Sequence, residues 1–254
     1  MTRLLNIGCG ATFHPDWVNI DAAPASPDVI AHDLASGLPF PDRHFQAVYA
    51  SHVLEHFDPE GGMRLLRDCH RVLQPGGIAR IVVPDLEPIA RTYLQSLEAA
   101  ASGDRQAESR YDWMMLELYD QTVRNTSGGR MAAFLAGPLD EAQRRFVVSR
   151  VGEQAIGEPA PLGRPSLLRR LRAACASLLQ GSGEAAFRRS GELHQWMYDR
   201  FSLARALTQA GFREVRRCGA DESAIAGFAR FGLEMAGGRP RKPDSLYVEG
   251  RKPE

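Results

Sequence analysis

The stretch that organises the chain is residues 4–10, which read Leu4-Leu5-Asn6-Ile7-Gly8-Cys9-Gly10, an apolar run ending in a glycine turn. A second apolar run, residues 17–21 (WVNID), follows shortly and ends in an acid. Glycines leave room for a ligand beside the backbone, and an acid at a strand tip can accept hydrogen bonds from a ribose diol. The two runs together indicate a nucleotide-type pocket at the carboxyl edge of a parallel sheet.

The bulk composition is that of an ordinary globular protein. The chain has 254 residues, of which 44% are hydrophobic and 24% charged. Its 31 Lys and Arg balance 31 Asp and Glu, so no net charge attracts nucleic acid or anionic lipid. No apolar run is long enough for a signal peptide or a membrane span. We interpret the scattered cysteines as reduced thiols of a cytoplasmic protein; they are Cys9, Cys69, Cys175 and Cys218.

Short apolar runs alternate with helical patterns over the first third of the chain. Strands are predicted at residues 3–7, 18–21, 29–33, 45–50 and 78–83, and near the carboxyl terminus at 212–218 and 245–249. Residues 63–73 and 202–210 have the patterns of amphipathic helices. Only residues 11–17 separate the first two strands, so a crossover helix does not fit and we expect a loop there.

Residues 86–193 have a different pattern, which is helical and rich in Arg and Ala. Breaks are predicted at residues 127–129, 157–165 and 181–183. We interpret this region as a helical insertion between a cofactor-binding part, residues 1–85, and a carboxyl-terminal part, residues 194–254. Because the first strand starts almost at Met1, we expect no upstream segment to cover the pocket. The insertion is therefore expected to form a lid and to wall the acceptor site.

The ordered motifs resemble those of class I S-adenosylmethionine-dependent methyltransferases. The resemblance is strongest to the branch with a helical insertion after strand five, similar to glycan-associated methyltransferases. The matching pieces are LNIGCG (5–10), NID (19–21), HDL (32–34), LPF (38–40), VLEH (53–56) and RVLQPGG (71–77). The resemblance implies an α/β Rossmann-like fold with S-adenosyl-L-methionine as cofactor. Its seven-stranded sheet would be mostly parallel with an antiparallel last strand, and helices would cover both faces.

The resemblance also implies a set of cofactor-binding residues. They are Asn6, Gly8, Cys9, Gly10, Asp21, Asp33, Leu34 and Ser51. Asp21 would bind the ribose hydroxyls and Asp33 the adenine amine, and the ends of strands on the binding edge favour these roles over helix caps or solvated acids. Asn6 departs from the family, which usually has an acid there. The family's helix after Gly10 is also missing. A dinucleotide needs such a helix for its pyrophosphate, so this loss argues against an NAD-dependent oxidoreductase.

Two residues are candidate catalytic bases. Methyl transfer from a sulfonium requires an aligned acceptor, and a base is needed only when the acceptor is a hydroxyl that must lose its proton. His52 follows the fourth strand and Asp85 ends the fifth; His194 is a weaker candidate. Asp85 can alternatively be a turn acid after Pro84.

Residues 52–56 spell His52-Val53-Leu54-Glu55-His56, an H-x-x-E-H pattern seen in some zinc proteases. That motif needs both histidines on one face of a regular helix. Here it straddles a predicted strand end and a turn. We therefore expect no metal and interpret Glu55 and His56 as structural.

Two further features bear on the acceptor. Trp196 and Tyr198 can stack on a sugar ring or belong to the core. Residues 166–175 have the pattern of a basic amphipathic helix, which predicts contact with a membrane surface or packing with the arginines solvated. We expect a cytoplasmic enzyme that O-methylates a saccharide or another envelope precursor.

Other functions remain open from the sequence. The chain can be an inactive S-adenosylmethionine-binding protein, or a methyltransferase for another small molecule. A nucleic-acid methyltransferase is disfavoured by the neutral charge. It is also disfavoured because Pro84-Asp85-Leu86 stands where such enzymes have Asn-Pro-Pro-aromatic.

Overall fold

The computed structural model describes residues 3–153, 156, 187 and 191–254. These divide into a sheet unit, residues 1–87 and 195–254, and a helical unit, residues 88–194. The breaks predicted at 157–165 and 181–183, the basic helix at 166–175 and Cys175 lie outside the described residues. None of the helices that the structure describes has both the length and the apolar character needed to cross a membrane.

The secondary structure alternates as predicted. The strands are β1 (Leu4–Ile7), β2 (Val18–Asp21), β3 (Val29–Ala31), β4 (Phe45–Ser51), β5 (Leu73–Pro84), β6 (Arg213–Cys218), β7 (Met235–Ala236), β8 (Arg239–Pro240) and β9 (Ser245–Arg251). The α-helices of the described residues are α1 (Pro59–Val72), α2 (Leu86–Ala101), α3 (Arg105–Val123), α4 (Gly129–Ala136), α5 (Glu141–Val151) and α6 (Arg200–Gln209). Short 3-10 turns cover Leu34–Ser36, Leu54–His56 and Phe228–Phe231.

Seven strands form one sheet in the order β3-β2-β1-β4-β5-β9-β6. Strands β1 to β5 pair in parallel, and β9 runs antiparallel to both β5 and β6. The predicted fold, with its antiparallel last strand, is confirmed. Ile7 lies opposite both Ile20 and Ala50, so the carboxyl ends of β1, β2 and β4 meet at one edge. That edge is where ligands bind in open α/β sheets.

Each face of the sheet has its own apolar core. On one face, α1 and α6 bury side chains such as Leu66 and Leu207 against the strands. On the other face, Trp17 packs with Phe228 and Phe231 of the last 3-10 turn. The Trp17 and Phe231 rings meet edge to face with centroids 5.3 Å apart. Helical segments therefore cover both faces, and among the described residues of the second core the helical cover is this short turn.

Capping residues explain why two helices start earlier than predicted. Asp58 accepts a hydrogen bond from Gly61 N at 2.6 Å, and Pro59 occupies the first turn, so α1 begins before residue 63. Asp199 accepts from Ser202 N at 2.8 Å, so α6 begins at Arg200 rather than at residue 202. The apolar periodicity located both helices but not their polar first turns.

The sheet unit also buries a charge that the sequence analysis did not predict. Arg80 lies on β5 and is fully buried. Its Nη1 lies 3.0 Å from Glu249 Oε1, and its guanidinium stacks over the Phe228 ring at 4.8 Å. A buried cation is tolerated only when it is paired in this way. Arg80 thus ties β5 to β9 and to the cover of the second face.

The helical unit is built around α3. Trp113 is fully buried, and its indole N–H donates to the buried carboxylate of Glu117. Arg150 of α5 pairs with the same carboxylate at 2.7 Å. One turn later, Asp120 accepts from Arg130 N at 2.8 Å, at the first turn of α4. The carboxylates of α3 thus anchor both α4 and α5.

Candidate functional site

The ends of the parallel strands carry the predicted site residues. Gly8, Asp21, Asp33, Ser51 and Asp85 lie at, or within two residues of, the ends of β1, β2, β3, β4 and β5. Parallel strands end at the same edge of a sheet, so the fold brings these positions to one edge.

The glycine turn after β1 has two different requirements for glycine. Gly8 and Gly10 have φ values of 60° and 52°, in the left-handed region that favours glycine. A Cβ on Gly8 would lie 2.5 Å from Val53 Cγ2, so packing excludes a side chain there. A Cβ on Gly10 would meet no atom within 4 Å. Gly10 therefore leaves open space beside the backbone, which is the condition for close approach of a ligand.

Asp21 is fixed by the backbone and remains open to a ligand. Its Oδ2 accepts a hydrogen bond from Gly10 N at 2.8 Å, and its Oδ1 accepts from Ala23 N at 2.8 Å. Each carboxylate oxygen has a second lone pair, and the residue is partly exposed. The carboxylate can therefore accept from a ribose diol while it holds the glycine turn in place. The open space at Gly10 and this acceptor fit the predicted cofactor.

Asp33 takes the capping role that the sequence analysis left open. Its Oδ1 accepts a hydrogen bond from Ala35 N at 2.9 Å and starts the 3-10 turn after β3. The side chain is exposed, so an adenine contact is compatible with this cap. Leu34 packs partly against the first core.

Asn6 and Cys9 are more buried than the other predicted cofactor-binding residues. Asn6 is 1% exposed, and its Nδ2 donates to Asn19 Oδ1 at 3.1 Å and to Thr12 O at 3.3 Å. The amide therefore holds the short loop between β1 and β2. Burial, and then the negative charge of Asp21, raise the pKa of the Cys9 thiol to about 11.

His52 follows directly on Ser51, the last residue of β4. Its φ of 56° is rare for a residue with a side chain, and strain of this kind concentrates at functional sites. Its Nε2 lies 2.8 Å from Ser245 Oγ, and its Nδ1 lies 3.3 Å from Glu55 Oε1. The side chain is 18% exposed. The ring is thus held from two sides and still reaches the surface of the sheet edge.

Glu55 has an unusual environment for a carboxyl group. It is fully buried, and burial raises its pKa to about 8. Within the described residues, neither of its oxygens has a hydrogen-bond partner, because the contact with His52 Nδ1 is not aligned for one. The titratable groups of the sheet unit that face it include His52, Lys242, Asp244 and Tyr198. Burial lowers the pKa of Lys242, while the nearby Glu55 charge opposes that shift.

The two rival bases differ from His52 in accessibility. Asp85 is 1% exposed, accepts a hydrogen bond from Glu87 N at 3.1 Å and lies 3.4 Å from Arg217 Nη2. Burial raises its pKa. His194 belongs to the helical unit, where it is buried and its backbone N–H donates to Gln121 O at 2.9 Å. Asp85 is therefore engaged inside the protein as a turn acid.

Residues 52–56 lie at a strand end and a turn. His52 precedes the 3-10 turn Leu54–His56, so the two histidines do not share a helix face. The expectation that no metal binds rests on this placement of His52 and His56 outside a common helix. The backbone of Glu55 has a structural role. Its carbonyl accepts hydrogen bonds from Gln195 N at 2.7 Å and from Trp196 N at 3.2 Å.

The two aromatic residues weighed as sugar contacts have different environments. Tyr198 is buried in the first core. Trp196 is 47% exposed, although its backbone is bound to the turn that carries Glu55. Only Trp196 thus offers an open ring face near His52.

The sequence analysis did not identify three residues around His52 as functional candidates, namely Glu55, Lys242 and Ser245. Glu55 stands three residues after His52, and that spacing could have suggested a pair. Lys242 and Ser245 gave no signal, because Ser245 is 193 positions from His52 in the chain. Only the return of β9 beside β5 brings Ser245 to this edge.

Comparison with known proteins finds one similarity to a family model, over the first part of the chain. Residues 5–81 match the family model described as a methyltransferase domain. No curated protein matches the chain.

Similar solved structures include three methyltransferase structures. A SAM-dependent methyltransferase from Archaeoglobus fulgidus is 14% identical, with a TM-score of 0.43 over 99% of this chain and 86% of that one. One from Mesorhizobium loti is 16% identical, with a TM-score of 0.39 over 98% and 90%. A possible histamine N-methyltransferase from Thermotoga maritima is 13% identical, with a TM-score of 0.41 over 99% and 83%. At these identities and TM-scores, the similarities do not bear on the acceptor.

Proposed function

We propose that the chain is a class I S-adenosylmethionine-dependent methyltransferase and that its acceptor is a hydroxyl group of a saccharide or another envelope precursor. The match of residues 5–81 to a methyltransferase-domain model and the strand order support the first part of the proposal. The observation that carries the proposal is the partly exposed imidazole of His52 at the tip of β4. A hydroxyl acceptor must lose a proton during methylation, and an imidazole is suited to accept it near neutral pH.

The sheet edge has the groups needed to hold the cofactor. When bound, S-adenosyl-L-methionine supplies a methyl group that is activated by its sulfonium. Gly10, with its open backbone, would lie against the methionine end, and Asp21 would bind the ribose hydroxyls. Asp33 and Leu34 would border the adenine. In this arrangement Asn6 acts through the loop that it holds, and Ser51 borders the pocket.

His52 is a better candidate base than Asp85. The Asp85 carboxylate is nearly inaccessible and already meets Glu87 N and Arg217. A base must come within hydrogen-bond reach of the proton that it removes. His52 meets this condition through its partial exposure. We therefore assign Asp85 to the start of α2 rather than to the reaction.

Trp196 supports a saccharide among the possible hydroxyl acceptors. Its ring is exposed, and its backbone is bound to the turn of Glu55, next to His52. Aromatic faces pack well on the apolar faces of sugar rings, and 47% of the Trp196 surface is open to such contact.

The test is methyl transfer to a panel of methyl glycosides of hexoses, deoxyhexoses and uronic acids, with S-adenosylhomocysteine formation as readout. We expect turnover with at least one glycoside and a loss of about 10²-fold or more in His52→Ala. The matched control is His44→Ala, at the opposite end of β4. Transfer only to amines, thiols or nucleic acid would contradict the proposal.

Trp196 can be tested in the same assay. Trp196→Ala should raise KM for the glycoside, while Phe201→Ala, which removes another exposed aromatic ring of the same segment, should not. Equal KM values in both variants would remove the support for a saccharide.

A further inference from the structure

We propose that Ser245 relays the proton from the acceptor hydroxyl to His52, and that Glu55 is a positioning residue that fixes the tautomer of His52. This inference rests on the proposed function and adds the path of the proton to it.

The three side chains come from separate elements that meet at the carboxyl edge. His52 follows β4, Glu55 lies in the next 3-10 turn, and Ser245 is the first residue of β9. Ser245 pairs with Pro84, the last residue of β5, so its hydroxyl lies at the edge where the parallel strands end. The spacing of the groups follows from the sheet topology.

The neighbours of His52 select one tautomer. Above its raised pKa of about 8, Glu55 is an ionised carboxylate that can only accept hydrogen bonds, so at 3.3 Å it favours the proton on Nδ1 of His52. Nε2 then carries the lone pair and accepts from the Ser245 hydroxyl at 2.8 Å. The contact with Glu55 is not aligned for a hydrogen bond here. Such contacts often tighten only when substrate binds.

The position of Ser245 determines the route of the proton. The lone pair of Nε2 already faces the Ser245 hydroxyl. An acceptor that approaches His52 must therefore displace this hydroxyl or pass its proton through it. Passage through Ser245 keeps the 2.8 Å hydrogen bond to His52 Nε2, whereas displacement breaks it and leaves the buried Ser245 hydroxyl with the Tyr247 hydroxyl as its side-chain neighbour.

The relay balances atoms and charge. A bond forms between the acceptor oxygen and the methyl carbon as the carbon–sulfur bond of the sulfonium breaks, and its electron pair stays on sulfur. The acceptor proton moves to Ser245 Oγ while the Ser245 proton moves to His52 Nε2. His52 becomes an imidazolium, and the fully buried Glu55 carboxylate stabilises its charge. Ser245 exchanges one proton for another and stays neutral, and His52 returns to its neutral form when it releases the proton from Nε2 to water after the product leaves.

The first test removes and restores the hydroxyl. With a glycoside that the wild type methylates, Ser245→Ala should lower kcat by about 10²-fold with little change in KM. Ser245→Thr keeps a hydroxyl and should recover most of this loss. The control Ser26→Ala removes a serine hydroxyl from the segment before β3 and should have the wild-type rate. A full kcat in Ser245→Ala would show that the acceptor meets His52 directly and would overturn the relay.

The second test reads the tautomer without catalysis. Long-range ¹H–¹⁵N spectra of protein with labelled histidines, bound to S-adenosylhomocysteine at pH 9, should show His52 with its proton on Nδ1. The chain has 7 histidines, so His52→Gln identifies the signal. Glu55→Gln keeps an acceptor oxygen and should keep the tautomer, whereas Glu55→Leu should move the proton to Nε2. A proton on Nε2 in the wild type would overturn the positioning role.

The outcomes separate the two proposals. No turnover with any hydroxyl acceptor overturns the proposed function and, with it, the relay. Turnover that is insensitive to Ser245→Ala overturns the relay alone. Both assays are run with and without EDTA. Activity that EDTA abolishes and a divalent metal restores would make Glu55 a metal ligand and overturn its role toward His52.

Discussion

The sheet unit and the helical unit both bury carboxylates, and they use them differently. In the helical unit, Glu117 meets Trp113 and Arg150, and Asp120 accepts the first N–H groups of α4. In the sheet unit, Glu55 is fully buried with no hydrogen bond to either oxygen from the described residues. A buried carboxylate with well-placed partners holds helices together. One that lacks them is a candidate for function, because burial without pairing destabilises a fold that has no other use for it.

The largest expected effect comes from removing the helical unit altogether. Residue 87 and residue 195 lie close to the bridge between Asp85 and Tyr198, and Leu86 N donates to Tyr198 O at 2.9 Å. A short Gly-Ser linker in place of residues 88–194 can therefore close the chain without stretching the sheet unit. If the insertion walls the acceptor pocket, methyl transfer should be abolished while some cofactor binding remains.

Calorimetry with S-adenosylhomocysteine and the glycoside assay measure these two effects on the deletion variant. Circular dichroism shows first whether it folds. The lid hypothesis is wrong if the folded variant methylates its acceptor at the full rate.

The next prediction compares the stability of variants at the two buried carboxylates, Glu117 and Glu55. Glu117→Gln removes the buried carboxylate charge that meets Arg150 and the Trp113 indole, and should lower the free energy of unfolding by about 3–5 kcal/mol. Glu55→Gln should not. The folded-state pKa of Glu55 is raised from 4.5 to about 8, so its contribution to stability falls as pH rises through that range. At pH 9 the glutamine variant should be at least as stable as the wild type, with lower kcat.

Urea denaturation followed by tryptophan fluorescence measures both variants. Trp113, beside Glu117, reports on the helical unit. If Glu55→Gln is less stable than Glu117→Gln, the inference that Glu117 stabilises the fold and Glu55 does not is wrong.

The same contrast explains what the sequence could reveal. The order of the strands and the acids at their ends followed from apolar runs, glycines and a familiar set of motifs, all of which are local patterns. The pairing of His52 with Ser245 depends on β9 inserting between β5 and β6. No local pattern records that contact. In the helical unit the periodicity predicted helices, but the partners of Glu117 come from a different helix and had no motif.

Asp21 gives a smaller effect, on binding. Asp21→Ala removes the acceptor for the ribose hydroxyls and should weaken S-adenosylhomocysteine binding by about 1.5–3 kcal/mol. It also leaves Gly10 N without its partner, so Asp21→Asn, which keeps one acceptor oxygen, serves as the matched variant. Calorimetry should rank the affinities as wild type, Asp21→Asn and Asp21→Ala. Unchanged affinity in Asp21→Ala would mean that the carboxylate only holds the turn.

The smallest expected effect concerns the rate at which the Cys9 thiol in the glycine turn is alkylated. The thiolate is the reactive form, and a pKa of about 11 leaves about one thousandth of the thiol ionised at pH 8. Alkylation by iodoacetamide should therefore be slow at pH 8 and accelerate as pH rises toward 11. Removing the charge of Asp21 in Asp21→Asn should lower the pKa and speed the reaction at pH 8, while the larger effect of burial remains. Mass spectrometry of the peptide that contains Cys9 separates it from the other thiols. If Cys9 in the wild type reacts at pH 8 as fast as free cysteine, the turn is more open than described. Burial is then not the main cause of the raised pKa of Cys9.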